Sequence, residues 1–533
     1  MENFIEEAVR IASENGQKII TRYPPEPNGY AHIGHAKAFS ISAGVTAAYN
    51  GYTNLRFDDT NPAKESMHYV DNLIKDIKWL GLPFKQVLFA SDYYEKLYEF
   101  AVHLINKGLA YVDDQTADEI SEGRGTLETP GKNSPYRERT IAENLDLFKR
   151  MRAGKFTDGA KVLRAKIDMS APNMNMRDPV IYRIARVPHY RTGDDWLIYP
   201  MYDFAHPLSD YIEHISHSLC SLEFEDHRPI YNWFIEKCAG AIPDLPKIFP
   251  KQYEFSRLNI DRFVMSKRWL KRFVDEGLVD GWDDPRMPTI SGMRRRGYTP
   301  ESIREFVKST GVSKNSMCVP ISALEFYVRT SLDAIATRVH VVSNPIKVVI
   351  TNYEGDGETL EIQNNPHDEG AGKHKISFSR EVYIDGDDFS DNPPPKYKRL
   401  VVGGTVRLRG AYIIKCNKNC GTHLECEYIK ESKSGSDTSG IKPAGVIHFV
   451  DAKTAVRGKI REFEPLLIEG TALNEENINK NTMRVIDCVC ETYLKDSKLD
   501  EKYQFVRKGF YVLDEKADGE LLFNKTVGLK EGF

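Results

Sequence analysis

The spacing of hydrophobic and polar residues predicts alternating helices and strands over the first hundred positions. A helix with one apolar face is expected at residues 4–14, and a short buried strand at residues 19–20 precedes the Pro24-Pro25 break. Further elements follow in the order strand, helix, strand, helix, at residues 53–59, 69–82, 87–90 and 92–107. This alternation predicts a doubly wound parallel α/β sheet with its functional groups at the carboxyl ends of the strands.

The alternation stops between residues 108 and 199 and returns at residues 201–257. Turn signals and a polar helix at residues 141–152 occupy the gap, which indicates an insertion that splits the α/β fold. The pattern then becomes helical, with helices expected at residues 269–276, 300–310 and 322–338. After Val339, short alternating runs separated by Gly, Asp and Pro predict two small antiparallel β-barrels.

We therefore expect a multidomain protein with a Rossmann-like α/β catalytic domain split by an α/β insertion, then a helical domain and two β-barrels. A length of 533 residues agrees with several such units. The predicted boundaries are 1–92 and 202–257 for the catalytic domain, 93–201 for the insertion, 258–338 for the helical domain, 339–455 for a proximal barrel to which 521–533 return, and 456–520 for a distal barrel.

The turn after the first strand has the chemistry of a phosphate site. Asn28-Gly29 marks a tight turn, and a helix is expected to begin at His32-Ile33-Gly34-His35. Unpaired N–H groups and the helix dipole attract anions there, and Gly34 lets a nucleotide approach the backbone. His32 and His35 share one face, so both can donate to charge developing on an α-phosphate. For this motif alone, surface histidines or a helix cap are equally good interpretations.

A second motif favours the phosphate-site interpretation. Val264-Met265-Ser266-Lys267-Arg268 offers a small hydroxyl beside a mobile lysine. Together with PPEPNGYAHIGH at residues 24–35, it resembles the HIGH and KMSKS motif pair of class I aminoacyl-tRNA synthetases, in particular the glutaminyl members of the glutamyl and glutaminyl branch. The resemblance covers nearly the whole chain, because it extends to RFDDTNP, RGTLETPGKNSPYR, IYPMYDF, HSLCSLEFEDHRP and FNKTVGL.

The resemblance implies roles for residues of the catalytic centre. Catalytic roles fall to His32, His35, Ser266 and Lys267. ATP contacts are implied for Glu26, Pro27, Asn28, His32, Gly34, His35, Lys37, Ser221, Arg257, Leu258, Met265, Ser266 and Lys267. Glutamine contacts are implied for Arg22, Asp58, Tyr202, His206, Cys220 and Gln252. Asp58 is suited to the α-ammonium of an amino acid, although a carboxylate after a strand can also be a helix cap or an ion-pair partner.

The resemblance also implies contacts with tRNA. At the acceptor end these are Arg124, Leu127, Asp226 and Lys314, with Leu127 in a loop that wedges open the first base pair and Asp226 in the minor groove. At the anticodon they are Arg338, Lys398, Arg399, Arg407, Arg409, Gln504 and Arg507, with Tyr397 and Tyr412 as candidate stacking planes. Without the resemblance, Leu127 would be a loop residue folded onto its own hairpin, and the basic stretch an ordinary strand with outward charges. Arg294-Arg295-Arg296 faces either solvent or RNA.

Composition narrows the class further. The formal net charge of −4 requires any RNA surface to be a local basic stripe. Apolar runs stay well short of the ~18 residues that span a membrane, and the acidic amphipathic start is unlike a signal or transit peptide, so we expect a cytoplasmic protein without a membrane partner. Eight scattered cysteines fit reduced thiols. Cys416, Cys420, His423 and Cys426 lie close together, but the paired CxxC knuckles of zinc ribbons are missing and the family requires no metal, so none is expected there.

The expected function is that of a monomeric ligase, dependent on ATP and Mg²⁺, that joins L-glutamine to the 2′-hydroxyl of the terminal adenosine of glutamine tRNA. The nearest alternative is a glutamyl-tRNA synthetase of the archaeal and eukaryotic type. A nucleotidyltransferase acting on a small metabolite would leave the β-rich C-terminal region without a purpose. A non-enzymatic RNA-binding paralogue is disfavoured by intact His32, His35 and Lys267.

Overall fold

The computed structural model describes residues 2–243, 245 and 249–530. The chain forms two compact units, Met1–Asn259 with Val307–Cys318, and Ile260–Phe306 with Val319–Phe533. Within the described ranges, no helix has the length and apolar character needed to cross a bilayer.

Helices and strands alternate up to residue 106 and again from residue 202 to 255, and the alternation is interrupted between these ranges, as the sequence predicts. The elements are α1 (Phe4–Glu14), β1 (Ile20–Tyr23), α2 (Ile33–Ala48), β2 (Tyr52–Phe57), α3 (Met67–Trp79), β3 (Val87–Phe89), α4 (Tyr94–Asn106), β4 (Ala110–Asp113), α5 (Ala117–Gly123), α6 (Ile141–Arg152), β5 (Val162–Ala165), β6 (Val180–Ile184), β7 (Ile198–Pro200), α7 (Tyr202–Ile212), β8 (His217–Ser221), α8 (Arg228–Cys238) and β9 (Lys251–Phe255).

From residue 258 a short helical region precedes a long β region. The elements are β10 (Leu258–Ile260), α9 (Lys267–Asp275), α10 (Ile290–Arg295), α11 (Pro300–Ser309), β11 (Met317–Val319), α12 (Ile321–Ile335), β12 (Thr337–Val339), β13 (Val341–Ser343), β14 (Pro345–Ile350), β15 (Glu358–Gln363), β16 (Lys373–Phe378), β17 (Glu381–Asp385), β18 (Thr405–Leu408), β19 (Ile413–Asn419), β20 (Leu424–Ile429), β21 (Val446–Ile447), β22 (Phe449–Asp451), β23 (Val456–Phe463), β24 (Met483–Cys490), β25 (Lys502–Phe505), β26 (Gly509–Ala517) and β27 (Glu520–Gly528).

The strands of the first unit that hold the candidate site run parallel. β1, β2 and β3 pair in parallel, and so do β8 and β9. Ser216 joins the two groups, because its N–H donates to the Ile20 carbonyl at 2.9 Å and its hydroxyl oxygen accepts from the Ile20 N–H at 2.8 Å. The strand order therefore runs outward from β1 to β2 and β3 on one side and to β8 and β9 on the other, as in a doubly wound fold.

In chain order, an antiparallel sheet lies between β3 and β8, and its strand order is β4-β5-β6-β7. Helix α6 begins with a capping box between Thr140 and Glu143 and buries Phe148 and Met151 against this region. The structure thus contains the helix that the sequence predicts at residues 141–152 within an insertion.

Two seven-stranded sheets dominate the second unit. We call the sheet β21-β18-β19-β20-β14-β17-β22 the proximal barrel and the sheet β12-β25-β26-β27-β23-β24-β13 the distal barrel. In the proximal barrel the two edge strands are separated only by His448, and in the distal barrel only by His340. Because both edges of each sheet come from one short segment, each sheet must curl into a nearly closed barrel.

Three details differ from the sequence predictions. Strand β27 pairs with β23 and β26, so it belongs to the distal barrel and does not return to the proximal one; residues 531–533 lie outside the described part of the chain. Helix α12 ends at Ile335, and Arg338 lies in β12. Arg295 is not a fully exposed charge, because 28% of its side chain is accessible to solvent and its guanidinium donates to both carboxylate oxygens of Asp514, at 2.9 and 3.0 Å.

Candidate active site

The carboxyl ends of β1, β2 and β8 lie where the strand order reverses. Arg22 is the next-to-last residue of β1, Asp58 follows the end of β2, and Cys220 is the next-to-last residue of β8. Open α/β sheets bind ligands at this position, because the connections on either side lead away to opposite faces of the sheet. The topology thus gathers residues that the resemblance assigns to one substrate.

His32 and His35 cap the first turn of α2 reciprocally. Nδ1 of His32 accepts a hydrogen bond from the Gly34 N–H, and Nδ1 of His35 accepts one from the His32 N–H, both at 3.1 Å. The ring centroids are 3.9 Å apart. Because each Nδ1 accepts, each neutral ring carries its hydrogen on Nε2, which is then a donor. The helix-cap interpretation is therefore correct, and it is compatible with the predicted role as hydrogen-bond donors.

The loop between β1 and α2 is held on both sides. The Pro25 carbonyl accepts from the Asp58 N–H at 3.1 Å, and the Pro27 carbonyl accepts from the Ser66 N–H at 3.2 Å. Asn28 Nδ2 donates to Glu26 Oε2 at 2.6 Å. These bonds fix the loop that carries the predicted ATP contacts Glu26, Pro27 and Asn28.

Other predicted ATP contacts lie on α2 and near the end of β8. Lys37 is buried on α2, and burial lowers the pKa of its amine. Ser221 donates to Glu223 Oε1 at 2.7 Å, and Arg257, next to buried Leu258, pairs with the same carboxylate. Glu223 was not predicted from the sequence, yet it links the two residues assigned to the adenosine side.

A buried ion-pair network lies behind the predicted glutamine pocket. Arg22 Nε and an Arg56 terminal nitrogen donate to Asp210 Oδ1 at 3.0 and 2.7 Å. Arg56 Nε donates to Asp58 Oδ1 at 2.7 Å. His206 Nε2 lies 2.7 Å from an Arg22 nitrogen, and its Nδ1 lies 2.7 Å from Asp58 Oδ2. Since arginine can only donate, His206 accepts at Nε2 and donates to Asp58 from Nδ1.

The charges of this network are balanced. Burial acts to raise the pKa of Asp210 and of Asp58, but Arg22 and Arg56 outweigh it for Asp210, and Arg56 and His206 for Asp58, so both carboxyls have a lowered pKa. Glu213 lies 3.5 Å from Arg56, but burial dominates and raises its pKa to about 7. Two guanidinium charges thus face two ionised aspartates, and Glu213, with a pKa of about 7, is about half protonated at neutral pH.

Asp58 forms an ion pair with Arg56, as the alternative interpretation of this carboxylate in the sequence analysis proposed. Its carboxylate has room for a further donor, because each oxygen carries two lone pairs, so its predicted contact with the substrate ammonium stays a prediction. Arg56, Asp210 and Glu213 were missed. Arg56 and Asp58 are two residues apart on one strand, and His206 and Asp210 are four apart on a helix, and these spacings could have signalled the pairing.

The predicted glutamine pocket is a small cavity lined by Tyr202, His206, Phe224 and Gln252 together with neighbouring residues. The Tyr202 ring stacks on His206 at 4.9 Å between centroids. Gln252 Nε2 donates to the Phe224 carbonyl at 3.0 Å and to Glu254 Oε1 at 2.9 Å, which fixes the orientation of its amide. Burial raises the pKa of the Tyr202 hydroxyl well above its usual value, so the pocket offers a neutral hydroxyl.

Cys220 adds no charge to this pocket. Burial raises the pKa of its thiol to about 12, and the thiol donates to the Tyr253 carbonyl with a sulfur to oxygen distance of 3.8 Å. At neutral pH it is therefore a neutral group close to Arg22.

The second motif lies at the start of α9 in the second unit. Ser266 is the N-cap and Lys267 the first helical residue, so Lys267 lies in the first turn of α9, at the positive end of the helix dipole. Val264 is buried with Leu270 in an apolar cluster, which anchors the chain immediately before Met265. The action of Lys267 and the two histidines on one ATP stays a prediction.

Leu127 stands at the tip of a braced loop in the first unit. Its side chain is 82% exposed, which excludes the interpretation that it folds onto its own hairpin. One terminal nitrogen of Arg177 donates to three loop carbonyls, at 2.8–3.0 Å, those of Arg124, Thr126 and Thr129. A rigid loop with an exposed apolar tip is what a wedge requires.

Leu127→Ala should lower kcat/KM for aminoacylation by about 10-fold, because part of the few kcal/mol needed to open the first acceptor pair is lost. The melting temperature should not change, since the side chain is exposed. Aminoacylation kinetics with two transcripts test the mechanism: a tRNA with a mismatched first pair should restore most of the activity of the variant. An equal defect on both transcripts would contradict the wedge.

The remaining predicted acceptor-end residues are also in the first unit. The Asp226 carbonyl accepts from Asn173 Nδ2 at 2.7 Å and from Asn175 Nδ2 at 3.2 Å, which fixes its backbone while its side chain is exposed. Lys314 Nζ donates to Glu225 Oε1 at 2.7 Å. These contacts fix the positions of both residues, and their binding to RNA stays a prediction.

In the second unit, two predicted anticodon contacts share one carboxylate. Arg399 Nε lies 3.1 Å from Asp388 Oδ1, and Arg507 donates to both Asp388 oxygens at 2.5 and 2.9 Å. Asp388 is fully buried and was not predicted. Arg507 has a left-handed backbone with φ of 70°, so the paired carboxylate helps to hold a strained residue. An RNA base would meet arginines that are already oriented.

Of the other predicted anticodon contacts, two are exposed and two are partly buried. Lys398 and Arg409 are exposed. Arg407 is tied to the Ser432 carbonyl at 2.6 Å and to Asp437, and Gln504 is half-buried in β25.

Two expectations in this region do not agree with the structure. Arg338 is 4% exposed and donates to the Asp333 and Ala336 carbonyls at 2.8 Å, so it caps α12 and is not poised to read a base. Tyr412 is buried, and its hydroxyl donates to Glu358 at 2.8 Å, so its ring is part of the core and not a stacking plane.

Comparison with known protein families shows which family this chain belongs to. The family model for class I tRNA synthetases (E and Q), catalytic domain, matches residues 18–334, and two anticodon-binding domain models of the same class match residues 336–429 and 446–514. The chain belongs to the class I tRNA synthetases of the E and Q group. The predicted family and fold class are thereby confirmed. The barrels differ from the prediction in one respect, since each contains two parallel strand pairs and is therefore mixed and not purely antiparallel. As a member of this group, the chain carries anticodon-binding domains where the two barrels lie.

Full-length relatives are similar throughout. A glutamine-tRNA ligase of Clostridium perfringens is 52% identical, with 100% of this chain and 98% of the relative covered. Glutamine-tRNA ligases of Clostridium kluyveri and Azotobacter vinelandii are 51% and 48% identical at the same coverage. The chain is thus similar in sequence, over its whole length, to proteins that share one described activity.

Proposed function

We propose that this synthetase joins L-glutamine to glutamine tRNA at the expense of ATP. The observation that carries the proposal is the neutrality of the amino-acid pocket. Arg22 and Arg56 are matched by Asp210 and Asp58, and Cys220 is a neutral thiol. The carboxylate of Asp203, which also lines the cavity, is paired with His227 at 2.7 Å. A glutamate side chain would place an unmatched charge there, at a cost of roughly several kcal/mol. The names of the full-length relatives support the same choice.

The reaction needs no protein nucleophile. A carboxylate oxygen of glutamine attacks the α-phosphorus of ATP, the bond to the β-phosphate oxygen breaks, and pyrophosphate leaves. The 2′-hydroxyl of the terminal adenosine then attacks the carbonyl of the adenylate, loses its proton, and releases AMP. In the proposal, His32 and His35 donate to the α-phosphate and Lys267 to the leaving phosphates, so the protein contributes positioning and charge stabilisation.

Magnesium enters with the nucleotide. The donor set of two imidazole N–H groups and a lysine fits phosphate oxygens, and Mg²⁺ bound together with the nucleotide would neutralise part of the phosphate charge. The proposal also includes action as a monomer in the cytoplasm, which size-exclusion chromatography with light scattering and localisation of a tagged protein would test.

The test is ATP–pyrophosphate exchange with each amino acid, in the presence and absence of tRNA, followed by aminoacylation of glutamine and glutamate tRNA transcripts. We expect exchange with glutamine only, dependent on glutamine tRNA, as in the family. Equal charging with glutamate would replace the proposal by the glutamyl alternative, and exchange without any transfer to tRNA would favour a nucleotidyltransferase.

A further inference from the structure

The hairpin between β19 and β20 of the proximal barrel brings three metal-ligating side chains together. The strands are joined by a turn in which the Cys420 N–H donates to the His423 carbonyl at 2.9 Å, and Gly421 has a left-handed φ of 83°. This tight turn places one ligand atom each of Cys420, His423 and Glu425 within 4.8 Å of one another. All three are partly exposed, so an ion can enter from solvent.

The imidazole of His423 is already oriented for coordination. Its Nδ1 lies 3.1 Å from the Thr422 hydroxyl, and its Nε2 lies 3.9 Å from Glu425 Oε1. When Nδ1–H donates to the hydroxyl, Nε2 keeps its lone pair, which is the usual arrangement of a metal-binding histidine and its outer partner. Two ligand atoms on one tetrahedral Zn²⁺ lie roughly 3.3 Å apart, so the His423–Glu425 pair must close by roughly half an ångström and no pair of the set by more than about 1.5 Å, which side-chain rotation can supply.

The chemistry of the set selects the ion. A thiolate, a neutral imidazole and a carboxylate carry two negative charges, which match a divalent cation. Thiolate and imidazole together favour Zn²⁺ over Mg²⁺ or Ca²⁺, which prefer oxygen ligands. Three protein ligands and a water complete a tetrahedron.

The two neighbouring cysteines do not belong to the set. Cys416 and Cys426 face each other across the strand pair and are fully buried in the barrel core. Both thiols pack among apolar side chains inside the barrel, so neither reaches the exposed tip of the hairpin where the other three ligands lie. The four-residue grouping of the sequence is therefore replaced by a different one that includes Glu425.

We propose that Cys420, His423 and Glu425 bind a Zn²⁺ ion at the tip of this hairpin, with water as the fourth ligand. The ion would stiffen a turn that also contacts the chain before Arg399, because Asn419 Nδ2 donates to Asp391 Oδ2 at 2.8 Å. Its role is thus structural support of the proximal barrel, independent of the chemistry at the amino-acid pocket.

Metal binding is tested on the full-length chain after dialysis against a chelator. We expect one Zn²⁺ per chain on reconstitution, and Co²⁺ substitution should give a thiolate-to-metal charge-transfer absorption. Cys420→Ser should abolish that absorption, and His423→Gln should weaken Zn²⁺ binding by more than ~100-fold, since even outer-partner changes cost 10–100-fold. Thr422→Val, which removes only the outer partner, should weaken it by about 10-fold.

Controls separate this site from other thiols. Cys318→Ser removes an exposed cysteine elsewhere and should leave stoichiometry and absorption unchanged. Thermal unfolding of each chelated variant shows whether it is folded before the metal is added. A wild-type chain that binds no Zn²⁺ at stoichiometric concentration, or a Cys420→Ser variant that keeps the thiolate absorption, would overturn the proposal.

Discussion

His32→Asn and His35→Asn should each lower the rate of adenylate formation by ~10²–10³-fold while leaving the melting temperature nearly unchanged. The reason lies in the two nitrogens of each ring. Nδ1 caps α2 and the Nε2–H is the proposed donor to the α-phosphate. An asparagine oxygen lies near the position of Nδ1 and can accept the same backbone N–H, and asparagine is a preferred residue at the N-cap position of His32, but it puts no donor where Nε2 was.

The matching substitutions reverse this pattern. His32→Gln and His35→Gln put an amide nitrogen near the position of Nε2, so they should retain more activity than the asparagine variants. His32→Gln also loses the short N-cap and should be less stable than His32→Asn, whereas glutamine is a favoured residue at the N3 position that His35 occupies. The double asparagine variant should lose less than the product of the single effects, because the two rings act on one phosphate.

Single-turnover adenylation with ATP, glutamine and tRNA, together with thermal unfolding, separates the two roles. If the asparagine variants form adenylate at the wild-type rate, the histidines serve only as a helix cap. If both substitutions lower rate and stability in parallel, the loss of activity is a consequence of folding.

The order of elements was predictable because each depends on local pattern. Helix α1 agrees with its predicted bounds, since a capping box of Asn3 and Glu6 marks its start. The end of α12 was placed three residues too late, because Arg338 continues the helical pattern while its side chain caps the helix from β12. The assignment of the C-terminal strand failed for a different reason: β27 pairs with β23, about sixty residues earlier, and no local signal records such a partner.

The candidate active site also combines features that the sequence predicts with features that only the structure shows. The motif predicted which residues lie at the start of α2, but their reciprocal hydrogen bonds to the backbone follow from three-dimensional geometry. Arg22 and Asp210 are separated by 188 residues, and their contact depends on β1 and α7 meeting in the fold. The sequence therefore predicted the candidate substrate contacts, whereas the buried carboxylates that orient them became visible only in the structure.

The preference for glutamine over glutamate should depend on Tyr202 and on the absence of a cation at position 220. The glutamine amide has two N–H groups that need acceptors. The Tyr202 hydroxyl is neutral, since burial raises its pKa, and the amide of Gln252 is held by Phe224 and Glu254. Arg22 is no partner for a γ-carboxylate, because its nitrogens donate to Asp210, His206 and Ser218.

Tyr202→Phe should reduce discrimination between glutamine and glutamate by ~10²-fold or more, because the amide loses a hydrogen-bond partner in a desolvated pocket. The stacking of the ring on His206 is retained, so stability should change little. The measurement is the ratio of kcat/KM values for the two amino acids on one glutamine tRNA transcript. A ratio that equals that of the wild type would show that the hydroxyl does not contact the side-chain amide.

Cys220→Arg combined with Gln252→Ile should increase the use of glutamate and depress that of glutamine. A guanidinium at position 220 can pair bidentately with a γ-carboxylate. The loss of the Gln252 amide removes a hydrogen bond to Glu254, and that buried carboxylate keeps its pairing with Arg228. Cys220→Ser is the matched control, since it changes the atom and keeps the neutrality, and it should preserve the preference for glutamine. If Cys220→Ser and the double variant shift the preference equally, packing and not charge sets the specificity, and the neutrality argument for the glutamine pocket fails.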